Sequence, residues 1–136
     1  YSWSLEPPVF VGGFGQLEVP QVFERKGTWY CLFCTANNHF SEEQTTLRRV
    51  VTGNHYLIGD SPRGPWRIAP GFLDGTQPCT RYAARIVDTD DGMVILGFAD
   101  RPEGASDFVG HIMDPDPVEI TAEGYLSIPP KLKAAE

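Results

Sequence analysis

The chain has 136 residues, 41% hydrophobic and 21% charged, which is the size and composition of one globular domain. Its 11 basic and 18 acidic residues give a formal net charge of −7, which disfavours a nucleic-acid surface because phosphates would be repelled. No apolar run approaches the ~18 residues of a membrane span, so neither nucleic acid nor membrane is a predicted partner. Tyr1 opens the chain without an initiating Met, and we expect a mature form or a fragment. The three cysteines, an odd count, leave the compartment undetermined.

Short aromatic and β-branched runs, bounded by Gly, Pro, Asn or Asp, predict strands throughout the chain. The predicted strands are 19–24, 28–35, 55–59, 65–68, 82–87, 93–99, 109–113, 118–121 and 125–128. Residues 25–27 and 90–92 are predicted hairpin turns, because Gly and Asp tolerate the backbone angles of tight turns. The polar stretch 36–52 suits an excursion loop or a short helical turn. The predicted fold class is all-β.

Two parts of the chain repeat each other. Residues 3–7 align with residues 66–70 at an offset of 63 residues, and Gly27 aligns with Gly92 at an offset of 65. Each of these glycines opens an apolar run of similar length. Repeats of several short strands are typical of propeller blades, although the usual blade is nearer ~40 to 50 residues. The repeat predicts a partial β-propeller of about two four-stranded blades plus a strand of a preceding blade.

The cysteine and histidine spacings do not predict a metal site. Cys31 and Cys34 form a C-x-x-C spacing, but the period of two in a strand sends them to opposite faces. We interpret them as small buried residues. The three histidines lack metal-ligand spacing, and the carboxylates of 88–91 and Asp100 are not followed by the Gly-spaced, Glu-terminated loop typical of calcium. No metal and no cofactor is predicted.

Glu18 is the candidate catalytic residue, a lone carboxylate at the position where the second repeat has Tyr82. It lies at the start of a predicted strand, just after the glycine-rich stretch 11–15. The innermost strand of each propeller blade lines the central channel, so Glu18 would project into a shared cavity. A carboxyl with apolar neighbours tends to have a raised pKa, which suits proton donation to a leaving oxygen. The alternative is a channel-facing Glu that only forms a salt bridge.

Five motifs follow one another along the chain, at residues 17–23 with the strand 29–35, at 56–59, at 73–75, at 82–84 with the strand ending at 98, and at 109–112 with 117–129. In this order they resemble the motifs of glycoside hydrolase family 32, the β-fructofuranosidases, invertases and inulinases. The resemblance implies a five-bladed propeller acting on furanosides such as sucrose or fructans. It implies retention of configuration, with an Asp nucleophile and with Glu18 as the acid/base.

The chain also departs from that family. Its Asn-Asp-Pro nucleophile motif and its Arg-Asp-Pro motif precede the Glu region, and neither occurs here. Val19 replaces a Cys, Gln21 replaces an acidic residue, and Thr80 and Arg81 replace an Asp-Phe pair. These differences put the substrate in doubt and leave room for the related families 43 and 68, which share the propeller and include arabinan- or xylan-acting enzymes and levansucrases.

Three further residues are candidate substrate contacts. Arg81, through its forked donors, and Tyr82, through its ring and hydroxyl, are suited to bind sugar hydroxyls at the channel mouth. Gln16 lies near the channel entry and is the third. The alternative for Arg81 is a structural role at a blade junction, and for Tyr82 a place in the core.

The predicted division of the chain is an outer strand of a preceding blade with its connection (1–16), a first blade (17–68), a second blade (69–128) and a tail (129–136). An open arc of blades leaves apolar faces exposed at both ends. We therefore expect either the missing part of the propeller or a second copy of the chain as a partner. Three functions stay open: a glycoside hydrolase or its acid/base-bearing part, a carbohydrate-binding pseudoenzyme, and an assembly module.

Overall fold

The protein is described from a computed structural model, which defines residues 1–75, 81–101 and 104–130. The strands of these ranges are β1 (Glu18–Arg25), β2 (Thr28–Thr35), β3 (Gly53–Gly59), β4 (Trp66–Ile68), β5 (Asp74–Gly75), β6 (Arg81–Thr89), β7 (Gly92–Ala99), β8 (Asp116–Pro117), β9 (Glu119–Ile120) and β10 (Leu126–Ser127). A 3₁₀ turn (Asn37–His39) and one short helix, α1 (Glu42–Leu47), interrupt them.

The strands form two antiparallel blades and a small hairpin. In the first blade the order is β1-β2-β3-β4, and β5 pairs with the start of β3. In the second blade the order is β6-β7-β8, and β9 pairs with β10. The chain is therefore all-β and forms part of a β-propeller, as its sequence predicts. Within each blade the first strand, β1 or β6, has a strand partner on one side only.

The two predicted hairpins are confirmed. Lys26 and Gly27 join β1 to β2 with φ angles of 52° and 80°, the left-handed pair that a two-residue hairpin turn favours. Residues 90–91 join β6 to β7. Long β-branched and aromatic runs follow both turns, and they extend the inner hairpins over eight or nine residues.

Three predicted strands differ in the structure, whereas the predicted short helical turn in 36–52 is present. Residues 109–113 do not form a strand, and only Ile112 makes an isolated bridge, to Phe98. The predicted strands 118–121 and 125–128 shorten to β9 and β10, which pair over only two residues each. The polar stretch 36–52 contains the 3₁₀ turn and α1, whose start is capped where Ser41 Oγ accepts a hydrogen bond from the Gln44 amide at 3.2 Å.

The main hydrophobic core lies between the two blades. It joins buried residues of the first blade to buried residues of the second and of the β9–β10 hairpin: Tyr30, Leu32, Tyr56, Ile58, Ala69, Leu73, Ala84, Ile86, Ile95, Val118 and Leu126. The hydroxyl of Tyr30 donates to the Gly124 carbonyl at 2.9 Å, which ties the hairpin to the first blade. The interface therefore buries one face of each blade.

A second core covers the opposite face of the first blade. Phe14, from the segment before β1, packs there on Cys31, Phe33 and Leu57. Cys31 thus faces this core, whereas Cys34 lies on the other side of β2, near Glu18, as the strand period predicts. Both cysteines are buried free thiols. Cys79 lies outside the described residues.

The amino-terminal segment does not reproduce the repeat. Trp3 is 95% exposed and lies outside any strand, whereas its sequence counterpart Trp66 lies in β4. The division of the chain into a preceding-blade strand, two blades and a tail stays a prediction, and residues 131–136 of that tail lie outside the described ranges. Within the described residues, no helix has the length and apolar character needed to cross a membrane.

Candidate active site

The candidate site lies where β1 and β6 begin, and both strands carry a bulge there. The pairing register shifts between Glu18 and Gln21 in β1, and between Tyr82 and Arg85 in β6. Such a bulge turns the local side chains away from their regular direction. Val19 and Ala83, which directly follow Glu18 and Tyr82, have φ angles of 44° and 48°. Positive φ is uncommon for any residue with a side chain and a clear outlier for a β-branched one, and such strain clusters at functional sites.

The two bulges bring Glu18 and Tyr82 together. The Tyr82 hydroxyl donates a hydrogen bond to Oε2 of Glu18 at 2.8 Å, across 64 residues of sequence. Both side chains are half-buried. Among the described residues, Oε1 of Glu18 has no hydrogen-bond partner. The arrangement leaves one carboxyl oxygen held by the protein and the other able to exchange a proton with a bound hydroxyl or glycosidic oxygen.

Two neighbouring groups keep their protons. Burial raises the pKa of the Tyr82 phenol, and the adjacent Glu18 carboxylate raises it further. Burial likewise raises the pKa of the Cys34 thiol, whose Sγ lies 3.6 Å from the Glu18 carbonyl oxygen. Tyr82 is therefore a hydrogen-bond donor over the working range of most enzymes, and Cys34 is an unreactive thiol.

Two side-chain amides fix β6 against the first blade. Asn54, fully buried at the start of β3, donates from Nδ2 to the Arg81 carbonyl and accepts at Oδ1 from the Ala84 amide, both at 3.1 Å. These bonds bracket Tyr82 on either side. Gln21 makes a matching pair of 2.8 Å bonds with the backbone of Ile86. Asn54 was not predicted from the sequence. Its position, a polar residue near the start of an apolar strand, is the feature that could have indicated its role.

Arg81 is placed differently from Tyr82. Its guanidinium is 5% exposed and forms ion pairs with Asp116 and, at 2.9 Å, with Asp74. Burial raises the pKa of Asp74, and the Arg81 charge opposes that shift. The three charged side chains line a cavity of about 420 Å³ whose wall includes Phe72. Asp74, whose side chain is 22% exposed, is the most accessible of the three, so direct sugar binding by Arg81 stays a prediction.

Gln16 lies on the surface two residues before Glu18. Its backbone amide donates to the His39 carbonyl at 3.0 Å, and its side chain is exposed. This bond anchors the loop that leads into β1. The structure thus brings Glu18 and Tyr82 into contact and places Gln16 on the adjoining surface. In the described part of the chain, no three His, Cys, Asp or Glu side chains converge as a metal site would require.

Comparisons with known proteins identify the fold. No protein-family model and no curated protein sequence matches the chain. The endo-1,4-β-xylanase of Bacteroides thetaiotaomicron superposes with a TM-score of 0.60 at 16% identity, over 85% of this chain and 38% of that one. The GH43 protein BlXynB of Bacillus licheniformis superposes with a TM-score of 0.59 at 20% identity, over 82% of this chain and 22% of that one.

The fold is that of the propeller glycoside hydrolases. At these identities the likeness concerns the fold alone. The chain spans well under half the length of each of these two enzymes.

Proposed function

We propose that this chain is the acid/base-bearing part of a glycoside hydrolase, with Glu18 as the proton donor. One observation carries the proposal: Glu18 and Tyr82, at matching bulges of two adjacent blades, hold a carboxyl group with one oxygen fixed and the other without a partner among the described residues. A glycosidase needs such a carboxyl group to protonate the leaving oxygen. The fold shared with propeller glycoside hydrolases supports this reaction class.

The proposed mechanism retains configuration at the anomeric carbon. A second carboxyl group ~5 to 5.5 Å from Glu18 attacks that carbon while Glu18 protonates the leaving oxygen. Glu18 then removes a proton from the water that hydrolyses the glycosyl intermediate. The sequence contains no Asn-Asp-Pro motif, so the nucleophile comes from outside these 136 residues. The source is the missing part of the propeller or a second copy of the chain.

The proposed substrate is a furanoside-containing sugar, as the ordered family 32 motifs imply. Tyr82 and Gln16 are proposed to lie beside it, and Arg81 is proposed to act at the cavity that it shares with Asp74. The superposed endo-1,4-β-xylanase supports a xylan-type substrate as the nearest alternative within the same reaction class.

The second candidate is a non-catalytic carbohydrate-binding or assembly module. It is favoured by the missing nucleophile motif. A carbohydrate-binding module should bind a sugar without releasing hydrolysis products. An assembly module should not bind the sugars at all.

The deciding experiment compares Glu18→Gln with Glu24→Gln, which removes an exposed carboxylate from the same strand. Each variant is assayed together with the propeller part or second copy that supplies the nucleophile. Hydrolysis is measured on sucrose, inulin, levan, arabinan and xylan, and binding by calorimetry. We expect Glu18→Gln to lower kcat about 10³-fold and to preserve binding, because general acid catalysis contributes roughly 10²- to 10⁴-fold. Glu24→Gln is expected to act like the unaltered protein. Hydrolysis that survives Glu18→Gln would rule out the proposed role.

A further inference from the structure

We propose that Tyr82 is the positioning residue of the acid: it fixes Oε2 of Glu18, so that Oε1 is the atom that gives its proton to the leaving group. This inference rests on the function proposed above. It assigns the Tyr82 hydroxyl to the carboxyl group, whereas the sequence predicted a direct sugar contact.

Tyr82 is held in place by contacts to its backbone and to its ring. Asn54 bonds the backbone on both sides of Tyr82, at the Arg81 carbonyl and the Ala84 amide. The Phe98 ring meets the Tyr82 ring edge-on, with centroids 6.1 Å apart. Asn54 is fully buried and cannot shift without losing both bonds. The phenol is therefore pre-organised by the scaffold rather than by the ligand.

Few side chains of the described residues contact the Glu18 carboxyl group. The only side chains of the described residues with a polar contact to its carboxyl group are Tyr82, at 2.8 Å, and Cys34, whose Sγ lies 4.0 Å from Oε2. Both contacts fall on Oε2. A thiol at that distance is a weak donor, so Tyr82 is the group that selects between the two oxygens.

The chemistry follows from this asymmetry. The proton moves from Oε1 of Glu18 to the glycosidic oxygen as the carbon–oxygen bond breaks, and the bonding electron pair stays on the leaving oxygen. The negative charge that develops on Glu18 is shared by both oxygens. A hydrogen bond to an ionised acceptor is about twice as strong as one to a neutral acceptor, so the Tyr82 bond strengthens in the transition state.

The test is Tyr82→Phe in the full-length protein, with Tyr30→Phe as the matched control. The Tyr30 hydroxyl also donates a hydrogen bond, to the Gly124 carbonyl at 2.9 Å, but Tyr30 lies in the core between the blades. Each variant is assayed on a disaccharide, whose leaving group needs the proton, and on a nitrophenyl glycoside, whose leaving group does not. We expect Tyr82→Phe to lower kcat on the disaccharide about 10- to 100-fold, and on the nitrophenyl glycoside less than about twofold.

Several outcomes would overturn the inference. The positioning role is wrong if Tyr82→Phe lowers kcat equally on both substrates or on neither. It is also wrong if Tyr30→Phe shows the same preference between the two substrates. In each of these cases, hydrolysis by the unaltered protein still supports the proposed function. An assembly that contains the nucleophile-bearing part and still hydrolyses none of the substrates removes both proposals. A double-mutant cycle of Glu18→Gln and Tyr82→Phe on unfolding gives a readout without activity. A coupling energy near zero would show that the two side chains do not interact in solution and would equally end the proposal.

Discussion

The two blades are alike in their inner hairpins and unlike in their outer strands. β1 and β6 start with a bulge at the same repeat position and turn back through a short hairpin. Further out, β3 is a seven-residue strand that is buried throughout, whereas the second blade continues into β8, which has only two residues. The inner strands carry Glu18 and Tyr82, so their shared geometry meets the needs of the site. The outer strands differ in length, although Asn54 of β3 still supports the site through its hydrogen bonds to β6.

The largest expected effect on stability concerns Arg81, whose repeat counterpart is the apolar Leu17. Arg81→Met leaves the carboxylates of Asp74 and Asp116 buried without their shared cation. Breaking a buried ion pair from one side costs about 3 to 5 kcal/mol in free energy of unfolding, which urea titration measures. The matched control is Arg25→Met, which breaks the exposed pair with Asp88 and costs less than about 1 kcal/mol. Equal losses of free energy of unfolding in the two variants would show that the ion pairs of Arg81 with Asp74 and Asp116 behave like exposed ones.

The next effect concerns His55, which lies in the buried third strand of the first blade. His55 lies among the rings of Phe14, Phe33 and Phe40, and burial lowers its pKa to about 4. The unfolded chain takes up this proton near pH 6.5, whereas the folded chain does so only near pH 4. The stability that neutral His55 provides is therefore present above pH 6.5 and is lost as the pH falls to 4, by about 3 kcal/mol.

The measurement is urea unfolding at pH 7 and pH 4.5. His55→Leu should remove this part of the pH dependence, because leucine has no proton to take up. His111→Gln replaces an exposed histidine and is the control; this variant should keep the pH dependence of the free energy of unfolding. An unchanged pH dependence in His55→Leu would show that His55 is not held neutral in the fold.

The smallest effect probes the bulge itself. Val19 and Val22 are on the same strand and are 42% and 44% exposed, but only Val19 has a positive φ angle. Glycine relieves the strain of that angle, so Val19→Gly should change the free energy of unfolding by less than about 1 kcal/mol. Val22→Gly should destabilise by about 1 kcal/mol, because glycine weakens a regular strand. If both substitutions destabilise equally, the bulge at Glu18 stores no strain.

Much of the inner architecture could be predicted from the sequence. Alternation and turn residues located β1, β2, β6 and β7, because a hairpin depends on local backbone preferences and on side-chain period. The same period predicted correctly that Cys31 and Cys34 face opposite sides of β2. The strand predicted over 109–113 was wrong: its backbone hydrogen-bonds to β7 at Gly97 and Ala99, but the positive φ of Gly110 interrupts regular pairing and leaves one isolated bridge.

The candidate site divides in the same way. Sequence patterns were sufficient to place a lone carboxylate, Glu18, at the start of the first inner strand and Tyr82 at the same repeat position of the second. The folded chain was needed to see that these two side chains share a hydrogen bond, that Asn54 holds the strand on both sides of Tyr82, and that the guanidinium of Arg81 pairs with Asp74 and Asp116. Bulge angles and the hydrogen bonds of Asn54 and Tyr82 depend on the packing of residues 27 to 64 positions apart in the chain, which no local pattern encodes.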